Sequence, residues 1–270
     1  MHVIRQDPHW DPAAPLAPER QTDGEHQLIW FSGAGGARVP AFLIEPDRLP
    51  RAAVVFQHAA TGEADWALAE ARALAADGFV SLSIMASFAR PDPHRIVADW
   101  NDPASIRAGY MQSILDVRAG IEFLVRELSV GSRRIGYVGK NLGGALAGGV
   151  VARDERIAAA VTVASLPRMS WFWANADHPA ATRRRARHGQ ANMSRAADLT
   201  AEFDLRAARR ASCDWLLQYG EEDEWTPAAT VEREIAALPR AVVRWYDDGH
   251  DLTLSEAAVD RRNFLLARFS

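Results

Sequence analysis

Cysteine is all but missing from this sequence: Cys213 is the only one in 270 residues, so no intrachain disulfide can form and no Cys/His cluster suggests a structural metal. Lysine is equally scarce, with Lys140 the only one among 31 basic residues, which fits a general bias toward arginine codons as well as it fits selection at one position. No apolar run is long enough to span a bilayer. Met1 to Arg20 is polar and proline-rich, with no basic stretch leading into an apolar one, so a cytoplasmic protein is expected. A net charge of −4 and a pI near 6.1 give no bulk electrostatic reason to expect nucleic acid or an anionic membrane as partner. What is present, a chain with 48% hydrophobic residues, suffices for a substantial core and points to work on a small molecule. Nothing in the composition calls for a cofactor, and homo-oligomerisation is left open.

The pattern along the chain is that of an α/β protein with a mostly parallel central sheet. After an irregular arm at 1–25, His26 to Phe31 and Arg38 to Glu45 read as an antiparallel hairpin around the glycine-rich turn Ser32 to Ala37. Strands are then predicted at Ala53 to Gln57, Val80 to Ile84, Ile135 to Val138, Ala158 to Val163, Trp215 to Tyr219 and Val242 to Tyr246. Helical stretches separate them, the signature of crossover connections with helices on both faces. The clearest helix follows Asp102-Pro103, an N-cap and an N1 proline, and repeats Ile106, Tyr110, Ile114, Val117, Ile121 and Leu124 at three- and four-residue spacing. The expectation is one domain over 26–270, with a small cap insertion at about 166–204. That insertion carries Met169-Ser-Trp-Phe-Trp173 and the arginine-rich Thr182 to His188. Its large side chains could close over a ligand or pack the cap onto the body.

Four local patterns carry chemistry. Ile135-Gly-Tyr-Val-Gly-Lys-Asn-Leu-Gly-Gly144 reads as a strand entering a tight turn and leaving as a helix, with Gly139 and Gly143 two residues on either side of the tip, Asn141. A dinucleotide fingerprint is excluded, because the spacing is not G-x-G-x-x-G. Asp223, in Gly220-Glu-Glu-Asp-Glu-Trp-Thr-Pro227, follows a hydrophobic strand and is the candidate acid. His250, in Asp247-Asp-Gly-His-Asp-Leu252, falls between the last strand and last helix and is the candidate base. Phe56-Gln-His-Ala-Ala60 closes an early strand, where the Ala60 amide could pair with that of Leu142 as an oxyanion hole, with His58 reading as a structural residue of that loop. Trp171, Trp173 and Trp225 are the candidate substrate-contacting aromatics.

From about His26 to the C-terminus the chain resembles the α/β-hydrolase superfamily. Val54-Val-Phe-Gln-His58 and Arg134-Ile-Gly-Tyr-Val-Gly139 look closest to dienelactone hydrolase-like and prolyl-oligopeptidase-like esterases. The resemblance implies hydrolysis of esters, lactones, thioesters or amides through an acyl intermediate on the residue at the turn. Asp223 and His250 match the acid and base stations; Asn141 departs from the nucleophile. A carboxamide nitrogen has its lone pair delocalised and cannot be activated as a hydroxyl or thiol is, so acyl-enzyme chemistry there is not expected. Asparagine does tolerate the positive φ such a tip demands. Three readings stay open: a His-Asp dyad acting on water or substrate; a serine- or aspartate-type hydrolase inactivated at position 141, naturally or by deliberate substitution; and a non-catalytic binding protein. Ser87 and Ser165, each just beyond a strand, are the places where a substitute nucleophile would stand.

Overall fold

A mixed sheet of nine strands organises the computed structural model, which describes residues 6–23, 26–60, 64–91, 93–236, 238 and 240–270. In chain order the elements are β1 (Glu19–Asp23), β2 (His26–Ser32), β3 (Arg38–Ile44), β4 (Ala52–Gln57), α1 (Leu68–Ala76), β5 (Phe79–Ile84), α2 (Pro103–Glu127) and β6 (Ile135–Lys140). They continue with α3 (Leu142–Ala145), α4 (Ala147–Val151), β7 (Ile157–Val163), α5 (Met169–Asn175), α6 (Pro179–His188) and α7 (Gln190–Thr200). The chain closes with β8 (Asp214–Gly220), α8 (Ala228–Ile235), β9 (Ala241–Tyr246) and α9 (Ser255–Phe269). The strand order is β1-β2-β3-β5-β4-β6-β7-β8-β9. β1, β2, β3 and β5 pair antiparallel, and every pair from β5 through β9 is parallel.

The composition of the strands explains their placement. β4, β5 and β7 are buried at every position, as expected for parallel strands covered on both faces, whereas β9 alternates because it is an edge. On one face α2 lays Ile106, Ile114, Val117 and Ile121 onto Phe31, Val55, Leu82 and Tyr137. On the other, α1 and α9 bring Leu74, Leu265 and Phe269 against Val54, Phe79 and Val138. The start of α2 follows the sequence signal: Asp102 accepts a hydrogen bond from the Ala104 amide at 3.0 Å, with Pro103 at the first helical position.

All eight strands predicted from His26 onward are present, as β2 to β9. Two expectations need correcting. The arm at 1–25 is not wholly irregular, since Glu19–Asp23 forms β1, in register from Glu19 opposite Trp30 to Asp23 opposite His26; Met1 to Arg5, Gly24 and Glu25 lie outside the described residues. Glu-Arg-Gln-Thr-Asp has no apolar alternation, because an edge strand can take its conformation from the ladder of its neighbour rather than from a buried face. The single helix expected after the Asn141 turn is instead α3 and α4, which meet at Leu146, where φ −87 and ψ −7 tighten the turn.

Candidate active site

The parallel strands deliver their carboxyl ends to one edge of the sheet, and the site is built there. β6 runs into Asn141, whose φ of 50 and ψ of −107 put the chain through a left-handed corner before α3 begins. The Asn141 amide donates to the Val163 carbonyl at 2.9 Å and its carbonyl accepts from Ala145 at 2.9 Å, so the corner is fixed from both sides. Its tightness needs glycine two residues before the tip: a Cβ at Gly139 would lie 2.5 Å from the carbonyl carbon of Gly143.

Asp223 and His250 arrive on the loops after β8 and β9, whose pairing opposes Gly220 to Tyr246 and so starts both loops at the same level. Gly220 is what lets those loops touch, since a Cβ there would sit 2.2 Å from the Asp248 carbonyl oxygen. Asp223 is buried, its Oδ1 accepting from the Trp225 amide at 2.8 Å and its Oδ2 from Thr226 Oγ1 at 2.5 Å and His250 Nδ1 at 2.9 Å. Burial pushes this carboxyl up, but hydrogen bonds from His250 and Thr226 more than offset it and the net direction is below the ordinary carboxylate value.

The side chain of Asn141 completes a closed network. The Leu142 amide donates to Asn141 Oδ1 at 2.8 Å, and Asn141 Nδ2 lies 2.6 Å from His250 Nε2. A backbone N–H can only donate, so Oδ1 must face Leu142 and Nδ2 must face the imidazole. Nε2 is then the acceptor and Nδ1–H the donor to Asp223. An imidazole held this way directs its Nε2 lone pair at Asn141 in the cavity wall, and becomes a proton acceptor when that contact opens.

The cavity in front has a volume of about 470 Å³, within the roughly 300–1,000 Å³ of small-molecule sites. Ala60, Asn141, Leu142, Trp173, Trp225 and His250 all line it. Trp225 sits 5.5 Å from the His250 ring, centroid to centroid, and continues into Phe172 and His178. Trp171 does not join them: it is 38% exposed and absent from the cavity wall. The correction is one of helix phase, because residues two apart on α5 point about 200° from each other and Trp171 and Trp173 cannot face the same way. His58 is buried, with Nε2 accepting from the Ala86 amide at 3.0 Å and Nδ1 2.7 Å from the Ala59 carbonyl, so it braces the loop that carries Ala60. Ser87 reaches the cavity wall with its Oγ 3.1 Å from Ser113 Oγ, while Ser165 is buried against Gly144. Lys140, beside the tip, turns its ammonium toward the Trp66 ring at 6.0 Å. Among the described residues no group of three or more His, Cys, Asp or Glu is arranged to hold a metal ion.

Sequence reasoning singles out none of Phe88, Ile96 or Trp100, and reads Arg184 only as one of the run Arg183 to Arg187 that either steers an anionic substrate or forms a solvated face, yet all four line the cavity. On α6, Ala181, Arg184 and His188 recur at three- and four-residue spacing and share the inner face, with Ala181 buried.

The helices between β7 and β8 are tied down by Asp204, which is 1% exposed and accepts from the Ser170 amide at 3.0 Å and from the Ser170 hydroxyl. Burial pushes its carboxyl up to about 6, with the Ser170 hydrogen bonds opposing. A carboxyl raised in the folded state disfavours folding once it must ionise, so its penalty is absent below about pH 4 and grows to full size as the pH rises past about 6. Asp204→Asn is therefore expected to gain a few degrees of Tm relative to the parent between those limits and to hold that gain at higher pH. A difference in Tm that stays flat across the window removes Asp204 as its source.

The sheet order, the left-handed corner after β6 and the two loops converging on it define an α/β-hydrolase. More specifically, the chain belongs to the prolyl oligopeptidase family (Peptidase_S9), whose pattern matches residues 99–249, more than half of its length. Among solved structures it is similar to an acetyl xylan esterase from Paenibacillus sp. R4, with a TM-score of 0.79 and 20% identity over 94% of this chain and 90% of that one. Acetyl xylan esterase 1 from Thermoanaerobacterium sp. JW/SL YS485 follows with a TM-score of 0.74 and 18% identity, covering 96% and 89%. The Pyrococcus furiosus esterase Pf2001 superposes along the whole of both chains with a TM-score of 0.64 and 16% identity. Comparison with curated proteins gives no match. At these identities the structural likeness establishes the fold. Among the described residues no helix is long and apolar enough to cross a membrane.

Proposed function

We propose that this protein is a cofactor-independent enzyme acting in the cytoplasm on a small ester, lactone or related carbonyl compound, with His250 as the proton acceptor and Asp223 as its orienting acid. Its partner is a small molecule rather than nucleic acid or a membrane surface. Once the Asn141 carboxamide turns from His250 Nε2 and the Leu142 amide to hydrogen-bond the reacting group, His250 takes a proton from water or from the substrate, and the amides of Ala60 and Leu142 serve the oxygen on which negative charge develops. No acyl-enzyme forms, because the Asn141 amide nitrogen has no free lone pair to attack with.

The observation that carries this reading is the imidazole–carboxylate pair, 2.9 Å apart, with the second imidazole nitrogen directed at the elbow tip in the cavity wall. A buried carboxylate held by several donors adds little stability over apolar packing, but it suits an imidazole that must gain a proton. The esterase names of the structural neighbours support the substrate class. A second reading, a silenced hydrolase that only binds, is favoured by the way the Asn141 carboxamide occupies both the Leu142 amide and the His250 lone pair.

The two separate in one assay. Turnover of short-chain aryl esters and lactones by the unaltered protein is expected to fall by about a hundredfold or more in His250→Ala, the ordinary contribution of a positioned proton acceptor. Turnover that survives His250→Ala overturns the proposal, and a lack of turnover by the unaltered protein on the whole panel selects the binding reading.

A further inference from the structure

One wall of the cavity carries a guanidinium for which the described residues supply no countercharge. Arg184 projects from α6 against two indoles, its Cζ 3.7 Å from the Trp100 ring centroid and 4.2 Å from that of Trp173. The two rings stand 6.0 Å apart at 68° to each other, so the guanidinium sits in the corner they form, and the indoles shield it without taking its N–H donors. Among the described residues no carboxylate pairs with it and no protein acceptor takes a hydrogen bond from it. Burial has partly stripped it of water and moves its pKa down. The neighbouring arginines differ: Arg183 and Arg187 are exposed, and Arg185 donates to the Trp173 carbonyl at 3.4 Å and to Thr182 Oγ1 at 3.1 Å.

The rest of the wall sharpens the contrast. Among the described residues Arg184 is the only side chain of fixed charge lining the cavity, and no carboxylate lines it. Tyr110, on the inner face of α2, lines it too, and burial pushes its phenol up to about 12, so the hydroxyl keeps its proton and remains a donor. Phe88, Ile96 and Val97 supply an apolar lining in the same cavity. A partly desolvated cation without an anion is costly to keep unless a ligand supplies one. Arg184 is not needed to fasten its surroundings, because Asn192 Nδ2 already holds the Trp100 carbonyl at 2.8 Å and His188 Nδ1 lies 2.9 Å from Asn101 Oδ1.

We infer that the substrate carries a carboxylate, bound by Arg184 with Tyr110 as second donor, while its reacting carbonyl meets Asn141 and His250 in the same cavity. The inference rests on the function proposed above and names its substrate class. A monoanion fits better than a phosphate monoester, because the wall offers a single fixed cation and a dianion would lack its second.

Binding, not turnover, tests it. Calorimetric titration with phenylacetate, phenylacetamide and benzylphosphonate measures the charge preference, and intrinsic tryptophan fluorescence reports on the rings that flank Arg184. Phenylacetate is expected to bind at least about tenfold tighter than its amide, the usual size of a hydrogen bond to a charged group. Arg184→Met keeps an unbranched apolar stem against the indoles; it should erase that preference while leaving the amide's affinity and the Tm near those of the parent. Equal affinity for acid and amide, a preference that persists in Arg184→Met, or tighter binding of the phosphonate each overturns the inference. An acid preference without ester turnover would sink the catalytic reading alone, and turnover of neutral esters without an acid preference would sink this one alone.

Discussion

Asn141→Ser is expected to hydrolyse p-nitrophenyl acetate about 10³- to 10⁴-fold faster than the parent, with a burst of p-nitrophenol as the new hydroxyl at the corner is acylated. Everything a serine needs is already in place there: a His250 Nε2 acting as acceptor, Nδ1 held by Asp223, and a Leu142 amide that the substitution releases from Asn141 Oδ1. Losing the nucleophile of such a triad costs about 10⁶ in turnover, so restoring it sets the upper limit. The full factor is not expected. A serine oxygen stands one bond from Cβ where Asn141 Nδ2 stands two, so it falls short of the imidazole by roughly 1 Å, and a displacement of that size costs about 10². Asn141→Ala frees the same amide without supplying a nucleophile and should show no burst. If folded Asn141→Ser is no faster than Asn141→Ala, the corner does not retain hydrolytic machinery and the roles assigned to His250 and Asp223 fall with it.

How much of this could be read from the chain follows from where the information is held. The corner, the acid loop and the base loop were legible because each is a short polar break directly after a β-branched or apolar run, and parallel strands carry such breaks to one edge whatever the side chains between them. Gly220 reads in sequence only as the start of the acid loop; its role in letting two loops touch depends on Asp248, nearly thirty positions away, and no local pattern reveals it. The phase of α5 was illegible for a different reason: Trp171, Phe172 and Trp173 are consecutive, so hydrophobicity has no period there, and only packing decides that Phe172 is buried and Trp171 exposed. β1 lacked any buried face to announce it. Arg184 sat in a run of arginines that reads as a solvated surface, and what separates it from Arg183 is the pair of indoles contributed by α5 and by the loop before α2. The closed network at Asn141 rests on one rotamer, which sequence does not encode.

A deeper prediction concerns the wall behind the cavity. Arg90 and Asp116 form an ion pair in which both side chains are fully buried, joining the loop after β5 to the middle of α2. Gln112 Nε2 donates to Asp116 Oδ1 at 2.8 Å and Arg90 Nε donates to the Met85 carbonyl at 3.3 Å, while Arg90 Nη1 has no hydrogen-bond partner among the described residues. The loop so anchored carries Ser87 and Phe88, both in the cavity wall. Removing one member strands the other charge in the interior, so Arg90→Met and Asp116→Leu are each expected to cost about 3–5 kcal/mol in urea unfolding. The double substitution removes both desolvation penalties and should recover most of that loss.

The two single variants should differ in how they respond to acid. Burial already pushes the Asp116 carboxyl up, with Arg90 and Gln112 opposing, so a carboxyl deprived of Arg90 can take up a proton and become neutral. The deficit of Arg90→Met should therefore shrink as the pH falls through the acidic range. Asp116→Leu leaves a guanidinium that stays charged at every accessible pH, so no proton uptake relieves it and its deficit should not shrink as the pH falls. Singles within about 0.5 kcal/mol of the parent, the ordinary scatter of neutral surface changes, would mean that water reaches this pair and that the wall is held by apolar packing alone.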